Sequence, residues 1–106
     1  MTDDAIPRFS GLTLDDVQRY AAKYIWWKSP PEAARYPLRV IAQVLDIGTF
    51  EDCFGLLERV GEEPLREVLR HAQAGWFRPR SWYFWHHKLG MAELGKVPDL
   101  PGRRFL

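Results

Sequence analysis

Helix-stopping residues recur along this chain too often to allow any long element. Ser29-Pro30-Pro31, Pro37, Gly48, Gly61, Pro64, Gly75 and Gly90 divide it into pieces of roughly ten residues. Proline lacks an N–H and pushes the preceding residue out of the helical region, and glycine ends helices by adopting a left-handed conformation. Within the pieces, apolar residues return every three or four positions. No segment sustains the two-residue alternation of a half-buried strand. The expected fold is therefore all-α, a compact single domain of five or six short helices with an irregular C-terminal tail. Residues 1–12 read as an N-terminal extension, 13–90 as the helical domain and 91–106 as the tail.

Individual helices can be placed from caps and stripes. Thr13 with Asp16 has the spacing of a capping box, followed by the stripe Val17, Tyr20, Ala21, Tyr24, Ile25. Ser29, Pro30 and Glu32 predict a short helix to about Arg35. Pro37 opens the most apolar segment, with Leu38, Ile41, Ala42 and Leu45 on one face, Val40, Val44 and Ile47 widening it, and Gly48 as a C′ residue. Thr49 and Asp52 cap a helix whose expected core face is Phe50, Cys53, Phe54, Leu57 and Val60. Pro64 starts another, with Leu65, Val68, Leu69 and Ala72 inward, closed by Gly75. Ser81 is the expected cap of a last helix from Trp82 to Leu89. The expected core is Ile41, Leu45, Phe54, Leu57, Val68 and Leu69.

With 106 residues the chain makes one domain, and 46% hydrophobic with 27% charged residues is globular composition. The longest apolar runs are far short of a membrane span. Asp3 and Asp4 give the N-terminus the wrong polarity for a signal peptide, and a lone Cys53 suits a reducing compartment, so the expected location is cytoplasmic. Net charge is only +1, but it is banded: −3 over 1–18, +4 over 19–39, −5 over 46–67 and +4 over 76–106. Acidic helix starts and basic helix ends produce such bands. A basic surface in the last band, facing a partner, is the alternative.

No catalytic, metal or cofactor motif is visible, and no cofactor is expected. Adjacent His86 and His87 point about 100° apart on a helix, and His71 lies elsewhere, so they do not read as a metal set. Cys53 falls on an apolar stripe, where a free thiol behaves as a small hydrophobe. The segment 50–74 could be a helix-turn-helix presenting Arg66, Arg70 and His71. Yet Glu58, Glu62, Glu63 and Glu67 line that approach and would repel phosphates. Nucleic acid is thus an unfavoured partner.

Six of the ten residues from 76 to 85 are aromatic, with Arg78 and Arg80 among them. Trp, Tyr and Arg anchor protein interfaces. Trp82 and Trp85 are expected to pack inward, leaving Trp76, Tyr83 or Phe84 partly exposed; one member of Trp26-Trp27 should likewise be core. The candidate partner-binding residues are Trp76, Arg78, Arg80, Tyr83, Phe84, His87, Arg103 and Arg104. The tail should fold back over this block, with Arg103 and Arg104 near the acidic band at 46–67.

Three blocks resemble a known bacterial family of small proteins of unknown function. They run from Ile25-Trp26-Trp27-Lys28-Ser29-Pro30-Pro31-Glu32-Ala33 through Ile41 to Asp52, and then from Pro79-Arg80-Ser81-Trp82-Tyr83-Phe84-Trp85 to Leu89-Gly90. Leu45 and Phe50 stand where that pattern has Met and Trp. Members of that family are often encoded just upstream of AbiEii/AbiGii-type nucleotidyltransferase toxins. The resemblance covers about residues 24–90 and brings no catalytic residues. By neighbourhood it implies an antitoxin-like, non-enzymatic interaction protein in a toxin-antitoxin system. The alternative is a small DNA-binding regulator using the 50–74 hairpin. Besides a toxin, a second copy of the chain is the partner the sequence leaves open.

Overall fold

A computed structural model describes residues 11–93 and 95–102. Among them are six helices and no strand: α1 (Leu14–Tyr24), α2 (Pro30–Ala33), α3 (Pro37–Ile47), α4 (Phe50–Val60), α5 (Glu62–Arg70) and α6 (Pro79–Lys88). The expected all-α fold is present.

Helix α3 is the centre, in contact with α1, α4, α5 and α6. Val40, Ile41, Ala42 and Val44 have no exposed surface, which places burial on more than one face of this helix. Val40, Ile41 and Val44 each contribute roughly 1.5–3 kcal/mol by leaving water. Gly48 ends α3, but not as expected: its φ is −69°, outside the left-handed region. A Cβ there would sit 2.3 Å from the Val44 carbonyl oxygen, so close approach, not backbone freedom, requires glycine. Helix α1 begins with the full reciprocal capping box, Thr13 Oγ1 accepting from the Asp16 N–H and Asp16 Oδ2 from the Thr13 N–H.

Several expectations need correction. On α4 the buried residues are Cys53 and Leu56, while Phe54, Leu57 and Val60 are only partly buried and Phe50 is 78% exposed. The core face is rotated toward Leu56 because α4 packs on α3 and α5 together. Ile47 is also exposed, at the end of α3 beyond the reach of its neighbours. Helix α5 starts at Glu62, directly after Gly61 with φ +85°, and Pro64 falls in its first turn, where its missing N–H is no loss. It stops at Arg70, because the Ala72 N–H turns to the Leu69 carbonyl instead of continuing the helix. Trp26 and Trp27 are both exposed: α1 ends at Tyr24, and the pair lies in the turn before Ser29, an edge-to-face contact 5.2 Å between centroids.

Candidate partner-binding surface

Helix α6 starts earlier than its serine suggested. Arg78 is the N-cap residue and Pro79 the first helical position, whose fixed φ suits it. Ser81 lies inside the first turn, and its hydroxyl donates to the Asp46 carboxylate. Asp46 also accepts from the Arg78 backbone N–H at 3.0 Å, and Arg78 Nη2 donates to the Asp46 carbonyl at 2.8 Å. Arg78 therefore clamps α6 to the end of α3, so its guanidinium is already engaged within the chain.

The inner face of α6 is Trp82, Trp85, His86 and Leu89, as expected for the two indoles. Both have their N–H satisfied: Trp85 Nε1 donates to the Leu45 carbonyl at 2.9 Å, and Trp82 Nε1 to the Pro98 carbonyl at 2.8 Å. Gly90, with φ +69°, closes the helix in a Schellman arrangement, the Met91 N–H bonding the His86 carbonyl and the Gly90 N–H that of His87. The tail then returns over the domain, with Val97 and Leu100 against the core and Pro98 on Trp82. That agrees with the expected contact with the aromatic block; Arg103 and Arg104 lie outside the described residues.

The outer face of α6 carries Arg80, Tyr83, Phe84 and His87 at the i, i+3, i+4, i+7 spacing of one stripe, all exposed. Phe84 meets Phe54 edge-on at 6.5 Å, Phe54 meets Phe50 at 4.5 Å, and Lys88 Nζ lies 5.3 Å from the Phe54 ring. The three phenylalanines border an open groove of about 390 Å³ that Arg80 also lines. Phe50 is a surface residue that sequence reasoning assigned to the core; its first-turn position was the only available signal. Trp76, by contrast, lines a separate groove with Trp27, Tyr36 and Arg39. The structure thus gathers Arg80, Tyr83, Phe84 and His87 on one face, uses Arg78 as a clamp and places Trp76 elsewhere.

Charge is distributed unevenly between these surfaces. Seven of the twelve described Lys and Arg side chains lie within ion-pair distance of a carboxylate: Arg19, Lys23, Arg59, Arg66, Arg70, Arg78 and Lys96. The other five are Arg80 and Lys88 beside the α6 groove, and Lys28, Arg35 and Arg39 around the other one. On α5, Arg66 bonds Glu62, Glu63 and the Leu89 carbonyl, and Arg70 bonds Glu63 and Glu67. The arginines a DNA reader would need are neutralised by their own helix.

The remaining reactive groups have structural surroundings. Burial pushes the Cys53 thiol up to about 11, and its Sγ faces the Val44 carbonyl at 3.2 Å. The His86 ring is buried against the Trp82 carbonyl, while His71 contacts Glu67. Among the described residues no group of three His, Cys, Asp or Glu could hold a metal, and no helix is long and apolar enough to cross a membrane. No protein-family model, curated protein or solved structure matches this chain.

Proposed function

We propose that this chain is a non-enzymatic interaction protein that docks a protein partner on the outer face of α6 and the adjoining edge of α4. The observation that carries this reading is the pairing of exposed Phe50, Tyr83 and Phe84 with Arg80 and Lys88, two cations without a carboxylate partner in the described chain. Aromatic anchors ringed by basic groups fit a partner with an apolar centre and an acidic rim. The sequence resemblance names a concrete candidate, a nucleotidyltransferase-type toxin encoded next door, which the chain would neutralise by steric cover. The DNA-regulator reading has less support, given the internally paired Arg66 and Arg70.

The test is co-expression with the neighbouring gene product, scored by growth and by co-purification. Phe84→Ala combined with Arg80→Glu removes an aromatic anchor and reverses a charge. A loss of about 2 kcal/mol or more in affinity, roughly thirtyfold, is expected for hot-spot residues. Full neutralisation by a folded double variant would place the interface elsewhere. A sequence-specific, salt-sensitive shift of the chain's own promoter, lost in Arg66→Ala/Arg70→Ala, would favour the DNA reading instead.

A further inference from the structure

The second groove has a composition of its own. It lies where the turn after α1, helix α2 and the start of α3 meet the segment before α6, and encloses about 560 Å³. That falls within the roughly 300–1,000 Å³ of small-ligand sites. Buried Ile25, Ala33 and Pro37 contribute to its apolar lining. Three aromatic side chains, Trp27, Tyr36 and Trp76, stand around it, the first two 50% and 60% exposed. Among the described residues its charged lining is Lys28, Arg35 and Arg39, with no carboxylate.

These cations are positioned but have no carboxylate partner among the described residues. Lys28 Nζ lies 5.9 Å from the Tyr36 ring centre and the Arg39 guanidinium 5.8 Å from that of Trp76. Arg39 Nη1 donates to the neutral Gln43 amide at 3.0 Å. Burial holds Arg39 below the ordinary arginine range, opposed only in part by the charge of Asp46. A partly desolvated cation that no carboxylate of the described chain bonds is costly, and an anionic ligand would relieve that cost.

We propose that this groove binds a single nucleotide, its base stacked on the Trp27, Tyr36 and Trp76 rim and its phosphates held by Lys28, Arg35 and Arg39. Flat aromatic faces recognise the π-face of any base, and guanidinium and ammonium groups recognise phosphate oxygens. A single-stranded nucleic acid fits less well, since it needs a basic track along several nucleotides. Among the described residues, the other cations without a carboxylate are Arg80, which lines the other groove, and Lys88, beside its Phe54, and the two grooves share no lining residue.

The experiment titrates the full chain with ATP, GTP, CTP and UTP, and in parallel with adenosine, tripolyphosphate and a short single-stranded oligonucleotide. Tryptophan fluorescence and calorimetry give the affinities. At least one nucleoside triphosphate should saturate a single site about tenfold more tightly than adenosine or tripolyphosphate, because each half supplies only part of the contact. Trp27→Ala should weaken that binding about tenfold, as should the exposed pair Lys28→Gln/Arg35→Gln, with helical circular dichroism unchanged. Phe84→Ala should leave it unaltered, separating this site from the α6 surface. Absence of saturable triphosphate binding, equal affinity for tripolyphosphate, tighter binding of the oligonucleotide, or indifference to both variants would overturn the proposal.

Discussion

Helix α4 has two edges, and they handle charge in opposite ways. Toward α1, Asp16, Arg19, Lys23, Asp52 and Arg59 are paired with one another. Asp52 accepts from Lys23 at 2.7 Å and from the Tyr24 hydroxyl, which itself accepts from the Thr49 N–H at 3.1 Å. Asp16, nearly buried, binds Thr13, Arg19 and Arg59, the last at 2.6 Å. Toward α6, Phe54 meets both Phe50 and Phe84, with Arg80 lining the same groove and Lys88 Nζ 5.3 Å from the Phe54 ring, and neither cation finds a carboxylate in the described chain. One edge is a closed joint between helices. The other is left open, and the leftover cations gather where the exposed rings are.

The largest expected effect lies between the two edges. Leu56 is fully buried, so Leu56→Ala should cost about 2–5 kcal/mol in urea unfolding, the range for truncating a core leucine. Leu57→Ala, half-buried beside it, should cost clearly less. The reverse order would restore the core face expected from the stripe at Phe50, Phe54 and Leu57.

The closed edge comes next. Thr13's backbone N–H, then Arg59 and Arg19, hold the Asp16 carboxyl at about 2, below its ordinary 3.8, against the opposing effect of burial. The folded chain thus binds this proton less readily than the unfolded one. Its stabilisation, about 2 kcal/mol, is complete above roughly pH 4 and lost as pH falls through about 2. Asp16→Asn should remove that amount at neutral pH and flatten stability across this window. An unchanged acid limb in the variant would show that Asp16 contributes little.

What could be read in the sequence follows from how local each feature is. The Thr13–Asp16 box, the Pro37 start and the Gly90 close depend on a few neighbouring residues, and all three appear as expected. Leu56 and Leu57 are adjacent and chemically alike, so which one faces inward is decided by α3 and α5 packing from two sides. Ser81 looked like a cap because nothing in the sequence shows that Asp46, 35 residues away, claims its hydroxyl and the Arg78 N–H. The inward turn of Trp82 and Trp85 was legible from their spacing. The separation of Trp76, and the company it keeps with Trp27 and Tyr36, depends on contacts between segments far apart in the chain.

The smallest effect on stability belongs to the open edge. Phe50→Ser and Arg80→Glu touch exposed groups and should each shift unfolding by no more than about 0.5 kcal/mol. A loss near that of Leu56→Ala would mean that this edge is structural and that its exposed rings signal no partner.

Amide hydrogen exchange on the chain alone and mixed with the neighbouring gene product reads both edges of α4 in one measurement. Docking on the open edge should add protection over residues 50–54 and 79–88 and none over 14–24, where α1 already meets α4 in the free protein. Protection confined to 14–24 or to 62–70, with 79–88 unchanged, would contradict it.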